Sequence, residues 1–543
     1  MKQFILLVLL AITLSACTKE SADLIVYNAK VYTVNENFDL AEAIAIKDGK
    51  ILSVGSSADL REKYSAKEQL DAKGKTIYPG FIDAHAHFFG YGESLQSVNL
   101  TNTKSWNEVI TRVEEFAKSH PEGWLTGRGW DQNDWPDKQF PTKEKLDQLF
   151  PNRPVLLTRI DGHAAVANQT ALNQAGISKS FSLTGGDIVD VNGKLTGLLI
   201  DNAVALVANK IPPADEKKAR KILLDAQQNC FAAGLTTIDD CGLDYEAIDL
   251  IEKMHEDNSL KMRLYVMLSD AEKNFEYLFK RGAVKTDRLN VRAFKVYADG
   301  ALGSRGACLK HPYSDMPNKS GFLLSDIKHF EEVAEKINKH NFQMCTHAIG
   351  DSANRSILKI YNKVLGGKND KRWRIEHAQV VSQSDFNLFG SASVIPSVQP
   401  THATSDMYWA TERLGTERVK GAYAYKQLLA QNGWIPLGTD FPVEQINPMY
   451  TFYAATARKD SKNYPAGGYQ MENSLSKQEA LRGMTIWAAK ANFEEKEKGS
   501  LEAGKFADFV IWENDVMTAS AEQILKNKVL KTYLNGEKVY EQK

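Results

Sequence analysis

Two histidines one residue apart close an apolar run in YPGFIDAHAHF, where Ile77, Phe81 and Ile82 lead into His85 and His87. Alternate residues of a strand share a face, so both imidazoles point the same way and can reach one cation. Further candidates end later apolar runs: Lys295 in VRAFKVYADGALGSRGA, His347 in QMCTHAIGD, His377 in WRIEHAQ and Asp440 in IPLGTDFPV. Each has a plainer reading alone. His-x-His is a modest signal, an inward lysine can be salt-bridged, and a strand-end histidine can be a hydrogen-bonded core residue. An aspartate before Phe441-Pro442 can be a helix N-cap or a turn former. Together, imidazole and carboxylate groups on successive strand ends suit a borderline divalent cation such as Zn²⁺. Lys295 shares its strand face with Ala293 and Tyr297, where a lysine is expensive unless paired or modified. Carboxylated by CO₂, it would become an oxygen ligand bridging two cations.

The elements that must position these residues alternate strands with amphipathic helices over residues 79–490, the pattern of a parallel α/β architecture. The candidate strands are Ile77–Ala84, Thr236–Asp240, Met262–Leu268, Val291–Ala298, Phe342–His347, Trp373–His377, Val394–Gln399 and Trp434–Thr439. They make a (β/α)₈ TIM barrel, whose chemistry sits at the C-terminal ends of its strands. One helix reads closely: Asp215 and Glu216 suit its positive end, Ala219, Ile222, Leu223, Ala226 and Cys230 recur at helical spacing, and Gly234 stops it. Residues from about 100 to 212 are surplus to the barrel and rich in Trp, Gly and Pro, so they form an inserted subdomain over its mouth. Within it, Trp106, Trp124, Trp130 and Trp135 either wall a pocket or pack a core. Asp161-Gly162-His163 is a substrate-contacting element, with His163 the binding residue, or a structural turn. Arg305, in GSRG, meets a polar substrate or orders its loop. His120, His255, His311, His329 and His340 fall in helices or loops and carry no assigned chemistry.

Residues 23–78 hold short strands, with a hairpin signal at Lys47-Asp48-Gly49-Lys50, and residues 491–543 repeat the pattern with a hairpin at Asn535-Gly536. A small β-sandwich built from both termini is expected. At the front, Lys2, the apolar run Phe4–Ile12 and Leu14-Ser15-Ala16-Cys17 read as a lipoprotein signal peptide over residues 1–16. Cys17 would then be lipidated and residues 17–22 would be a tether; the plainer reading is a secretion signal with an incidental cysteine. The lipid reading expects an exported bacterial cell-envelope lipoprotein facing the periplasm or the exterior. Thr18 after the cysteine resembles an outer-membrane destination. Cys230, Cys241, Cys308 and Cys345 are too scattered for a disulfide framework and read as free thiols. A formal net charge of −1 without a basic stripe excludes nucleic acid as a natural partner. A homodimer is the ordinary expectation for such a chain.

PGFIDAHAHF, FKVYADGALGSRGA, THAIGD, RIEHAQ, GTDFPV and the closing GSLEAGKFADFVI cover nearly the whole chain after the leader. In these motifs the chain resembles the amidohydrolase superfamily, in the branch of amidohydrolase 3 proteins and N-substituted formamide deformylase. The resemblance implies His85 and His87 on one metal, His347 and His377 on a second, carboxylated Lys295 as bridge, and Asp440 as ligand and proton carrier. It implies two Zn²⁺ and hydrolysis of a non-peptide C–N bond in a small amide- or formamide-like substrate. The attacking hydroxide would come from a metal-held water whose pKa drops from about 15.7 to about 7. Asp440 would take the water proton and return it to the leaving amine. Two other readings stay open: an isomerase or eliminase at a single metal with Asp440 as base, and a non-catalytic solute-binding lipoprotein. Fold and ligands specify mechanism better than substrate.

Overall fold

Seven parallel strands follow one another around the centre of the computed structural model, which describes residues 19–543; the leader and Cys17 lie outside the described residues. They are β1 (Phe81–Ala86), β2 (Leu235–Leu243), β3 (Arg263–Ser269), β4 (Leu289–Tyr297), β5 (Gln343–Ala348), β6 (Arg374–His377) and β7 (Ile395–Ser397). Each pairs with its neighbour in chain order. The eighth position belongs to the stretch expected there, residues 434–439, joined to its two neighbouring strands by three backbone bonds rather than a ladder. Val398 donates to the Pro436 carbonyl at 3.2 Å, Gly438 donates to Val398 at 3.0 Å, and Ala84 donates to Leu437 at 3.2 Å. Pro436 has no N–H to offer, which explains the sparse pairing. The result is the α/β TIM barrel.

Strands buried on both faces read as continuous apolar runs. The helix Glu216–Ala232 shows how the sequence builds a unit: Asp215 caps it by accepting the Lys218 N–H. Its face of Ala219, Ile222, Leu223, Ala226 and Cys230 is buried, and Gly234 ends it at φ 83°. Inside the barrel, Cys241, Tyr265, Met267, Ala293 and Cys345 pack together. A charged group lies beside them. Arg374 donates to Asp239 at 2.9 Å, Asn492 donates to Asp239 at 2.6 Å, and all three side chains are buried.

The two termini meet in a sandwich. One sheet orders Lys50–Gly55, Ala43–Lys47, Glu20–Tyr27 and Tyr64–Asp71; the other inserts the C-terminal strand Phe509–Trp512 beside Thr76–Pro79, with Ile511 opposite Ile77. Leu24, Val26, Ile44, Ile46, Ile77, Phe509 and Tyr533 fill the space between them. Both hairpins turn where expected, at Asp48-Gly49 and Asn535-Gly536, each with two positive φ angles.

A six-stranded mixed sheet, from Val98–Asn99 to Lys194–Asp201, stands apart from the barrel sheet. Trp130 and Trp135 are buried in its core with Trp106 packed against them, and Trp124 packs on its other face. The tryptophans are core residues of this sheet. Cys230, Cys241, Cys308 and Cys345 are free thiols, all buried but the partly exposed Cys308. No helix among the described residues is long and apolar enough to cross a membrane.

Candidate metal centre and catalytic cleft

Strand β1 sends Asp83 and His85 toward the barrel axis by alternation, and His87 follows on the residue just past its end. Asp83 accepts the His85 N–H at 3.2 Å and the Thr439 N–H at 2.9 Å, tying β1 to the closing segment; burial pushes its carboxyl up to about 7. His85 is fully buried, and its Nδ1 meets Glu376 Oε2 at 2.6 Å, which leaves Nε2 for the cleft. Burial, reinforced by Lys295, pulls the His85 imidazole down to about 4, so it is a neutral donor at pH 7. His87 Nδ1 donates to the Cys241 carbonyl at 2.9 Å and turns Nε2 toward Asp440 Oδ1 at 3.2 Å. A second-atom anchor of this kind orients a metal-binding imidazole.

Lys295 is fully buried, with Nζ 3.2 Å from His85 Nε2. Burial opposes its charge, but Cys241, Tyr297, Glu376 and Asp440 around it hold the ammonium above the usual lysine value. His347 ends β5 and His377 ends β6, their ring centroids 4.5 Å apart. Burial puts both imidazoles well below the ordinary value, helped at His347 by His163, Lys295 and His85 and at His377 by His347 and His85. Arg374 and Glu376 already face the interior, so alternation alone would turn His377 outward. Its φ of 73° breaks the pleat and swings it back into the mouth. Asp440 also sits at positive φ, 64°. Such backbone strain is retained where surrounding structure over-determines it, as at reactive sites.

Asp440 has a partner that sequence reasoning missed. His402 Nε2 lies 3.2 Å from Asp440 Oδ2, and its Nδ1 lies 3.2 Å from Glu444 Oε1. Burial alone would lower His402, yet the two carboxylates lift it to about 10. Burial likewise opposes ionisation of Asp440, but His402 and His87 hold its carboxyl well below the usual range. His402 lies on the helix Pro400–Asp406 beyond β7, so no strand alternation marks it. Glu376, the anchor of His85, was equally unmarked.

The Asp161-Gly162-His163 element serves as a turn and as a cleft wall at once. Asp161 Oδ1 accepts the His163 N–H at 3.0 Å, and Gly162 takes φ 78°. His163 Nδ1 meets Asp201 Oδ1 at 2.6 Å. Burial would lower His163, but Asp201 raises it above the ordinary value. The long motif after Lys295 divides its labour. Asp299 accepts backbone N–H groups from Ile349, Gly350 and Cys308 at 2.8 to 2.9 Å, fastening two mouth loops together. Arg305 is not a cleft residue: its guanidinium pairs with Asp315 at 2.8 Å, which also binds Arg413. Of the two readings given for Arg305, this pairing supports the ordering of its loop.

His87, His163, Lys295, His347, His377, His402 and Asp440 line one cleft of about 370 Å³, walled also by Trp409, Asp406 and Glu444. That volume suits a small molecule. His85, His377 and Asp440 offer ligand atoms all within 4.8 Å of one another. Buried His347 Nε2, His377 Nδ1 and Asp440 Oδ1 have no hydrogen-bond partner. Unpaired buried polar atoms are costly, and neutral imidazoles with a carboxylate are the donor set that a divalent cation takes. The residues fit a metal.

A family described as "Amidohydrolase family" matches residues 68–540. A putative amidohydrolase, YtcJ, of Bacillus subtilis (strain 168) is 32% identical over 522 residues, 94% of this chain and 98% of that protein. N-substituted formamide deformylase of Arthrobacter pascens is 26% identical over 547 residues, 96% of this chain and 98% of that protein. Among solved structures, an uncharacterized metal-dependent hydrolase from Pyrococcus horikoshii OT3 superposes with a TM-score of 0.75 at 26% identity, covering 92% of this chain and 99% of that one.

Proposed function

The chain belongs to the amidohydrolase family, and from that premise we propose that it is a metal-dependent hydrolase cleaving a non-peptide C–N bond in a small amide- or formamide-like molecule. The observation that carries this reading is that His377 and Asp440, with buried His85 close behind them, meet His87, Lys295 and His347 at one cleft holding unpaired buried donor atoms. The formamide deformylase relative supports the substrate class.

His85, His87, His347, His377 and Asp440 would hold two Zn²⁺, and Lys295 would bridge them as a carbamate. In that modification the ammonium first gives up a proton to water; the neutral amine then attacks the carbon of CO₂ and sheds a second proton to water, so that a cationic side chain becomes an anionic oxygen donor. Bound there, a divalent metal supplies Lewis acidity and lowers the pKa of a water from about 15.7 to about 7. Asp440, kept ionised by His402 and His87, accepts the proton of the attacking water. An amide nitrogen leaves poorly as an anion, so a proton must reach it as the C–N bond breaks. Glu376 fixes the tautomer and angle of His85 for this work.

The test is amine release from N-formyl alkylamines and N-formyl anilines by metal-supplemented protein and by protein stripped with chelator. Release that requires metal supports the reading. No release from any of them by the metal-supplemented protein would sink it. We further propose that the chain is exported and lipid-anchored through Cys17, which rests on the Leu-Ser-Ala-Cys sequence. Fatty-acid label should enter the wild type and be lost in Cys17→Ser; a label that persists in the variant refutes the anchor.

A further inference from the structure

Asp201 ends the strand Lys194–Asp201 with φ 50° and ψ −120°, a conformation that costs a non-glycine residue. Two bonds pin it to His163: its N–H donates to the His163 carbonyl at 2.8 Å, and its Oδ1 accepts from His163 Nδ1 at 2.6 Å. Its Oδ2 is buried without a partner. Around that oxygen the barrel has been pared down to glycine. A side chain at Gly300 would begin 2.3 Å from Oδ2, and one at Gly306 would begin 2.2 Å from it. Asp299, a purely structural aspartate nearby, spends both oxygens on three backbone N–H groups. Asp201 has one visible client, the imidazole.

With Nδ1 occupied, only Nε2 of His163 can meet a molecule in the cleft, and the ring stands 5.1 Å from that of His347. A carboxylate on Nδ1 fixes the presented nitrogen and stabilises the imidazolium, which is the division of roles in a histidine–aspartate couple. Asp440 lies instead on the His87 and His402 side. Resting on the hydrolase reading above, we propose that His163 is a second proton carrier that donates from Nε2 to the leaving nitrogen, with Asp201 as its positioning residue. As the C–N bond breaks, its electron pair stays on nitrogen and the His163 proton joins it, so the amine departs neutral. The water oxygen remains on carbon; its proton passes to Asp440, which releases it to cleft water, and His163 takes one proton back from that water, so both side chains end as they began.

The test uses metal-loaded protein and N-formyl amines whose leaving groups run from alkylamine to nitroaniline. His163→Asn and Asp201→Asn should cut kcat about 100-fold or more on alkylamine leaving groups. On nitroaniline, whose leaving nitrogen is stabilised by the nitro group and depends less on proton delivery, the loss should be less than about 5-fold, with bound metal unchanged. Equal loss on all leaving groups, or loss of metal, overturns the proposal. A nitrogen-15 spectrum of the imidazoles reads the couple without turnover: a downfield Nδ1–H proton is expected in the wild type and absent in Asp201→Asn. Its absence from the wild type also overturns the proposal. A wild type that releases no amine while showing this proton breaks the hydrolase reading and, with it, the role assigned here to the couple.

Discussion

Gly306 and Asp201, 105 positions apart by their numbers, fit together as a socket and its occupant: a Cβ on Gly306 would fall 2.2 Å from Asp201 Oδ2. The glycine is there for clearance, and the occupant is a short, buried side chain with nowhere to retreat. Gly306→Ala should push the carboxylate away from His163 and cost about 1–3 kcal/mol of stability, as overpacking does. Urea unfolding and the leaving-group series would report both effects. A stable variant with wild-type turnover on alkylamine leaving groups would show that the clearance has no function.

Glu376 is fully buried and holds His85 Nδ1 at 2.6 Å. Its carboxyl stays below the ordinary value because, although burial opposes ionisation, His85 and Arg374 favour it. Glu376→Gln keeps the shape and removes the charge. Metal affinity should fall about 10–100-fold, read by competition with a chelating dye. Unchanged affinity would mean that the Glu376–His85 contact only packs the barrel.

The strand-end residues were legible because alternation and apolar runs announce where a barrel strand stops, and His85, His87, Lys295, His347 and Asp440 obey that rule. His377 was found by its position at a strand end, although it obeys the rule only through a φ of 73° that no pattern reveals. His402 escaped because it stands on a helix, where a lone histidine carries no periodic signal. Asp201 escaped because its role depends on glycines a hundred residues away. Arg305 was left between two readings, since its pairing with Asp315, which also binds Arg413, shows itself only in the fold. The eighth strand could be placed by its apolar run, but Pro436 made its pairing too thin to form a ladder.

Asp515 fastens the segment after Phe509–Trp512 to neighbouring strands of its sandwich sheet by accepting from Lys30 at 2.7 Å, Tyr32 at 3.0 Å and buried Tyr78 at 2.7 Å. Burial raises its carboxyl, but Lys30 and Tyr78 lower it more, leaving it below the ordinary value. A depressed folded pKa adds stability that is complete above the unfolded value of about 3.9 and is lost as pH falls through the folded one. Asp515→Asn should therefore be less stable than wild type by about 1–2 kcal/mol at pH 7. The gap should narrow as pH falls from the unfolded value of about 3.9 through the lower folded one. Urea midpoints across that range decide it; a gap independent of pH would assign the effect to packing.

The most direct measurement is metal content per chain, made on protein lacking residues 1–17, purified free of chelator and supplied with bicarbonate, for wild type and Lys295→Ala. About two equivalents of Zn²⁺ in the wild type, with at least one lost on removing Lys295, is the expected result for a centre bridged by the carboxylated lysine. One equivalent indifferent to Lys295 would contradict the bridge, and no bound metal at all would contradict the hydrolytic centre itself.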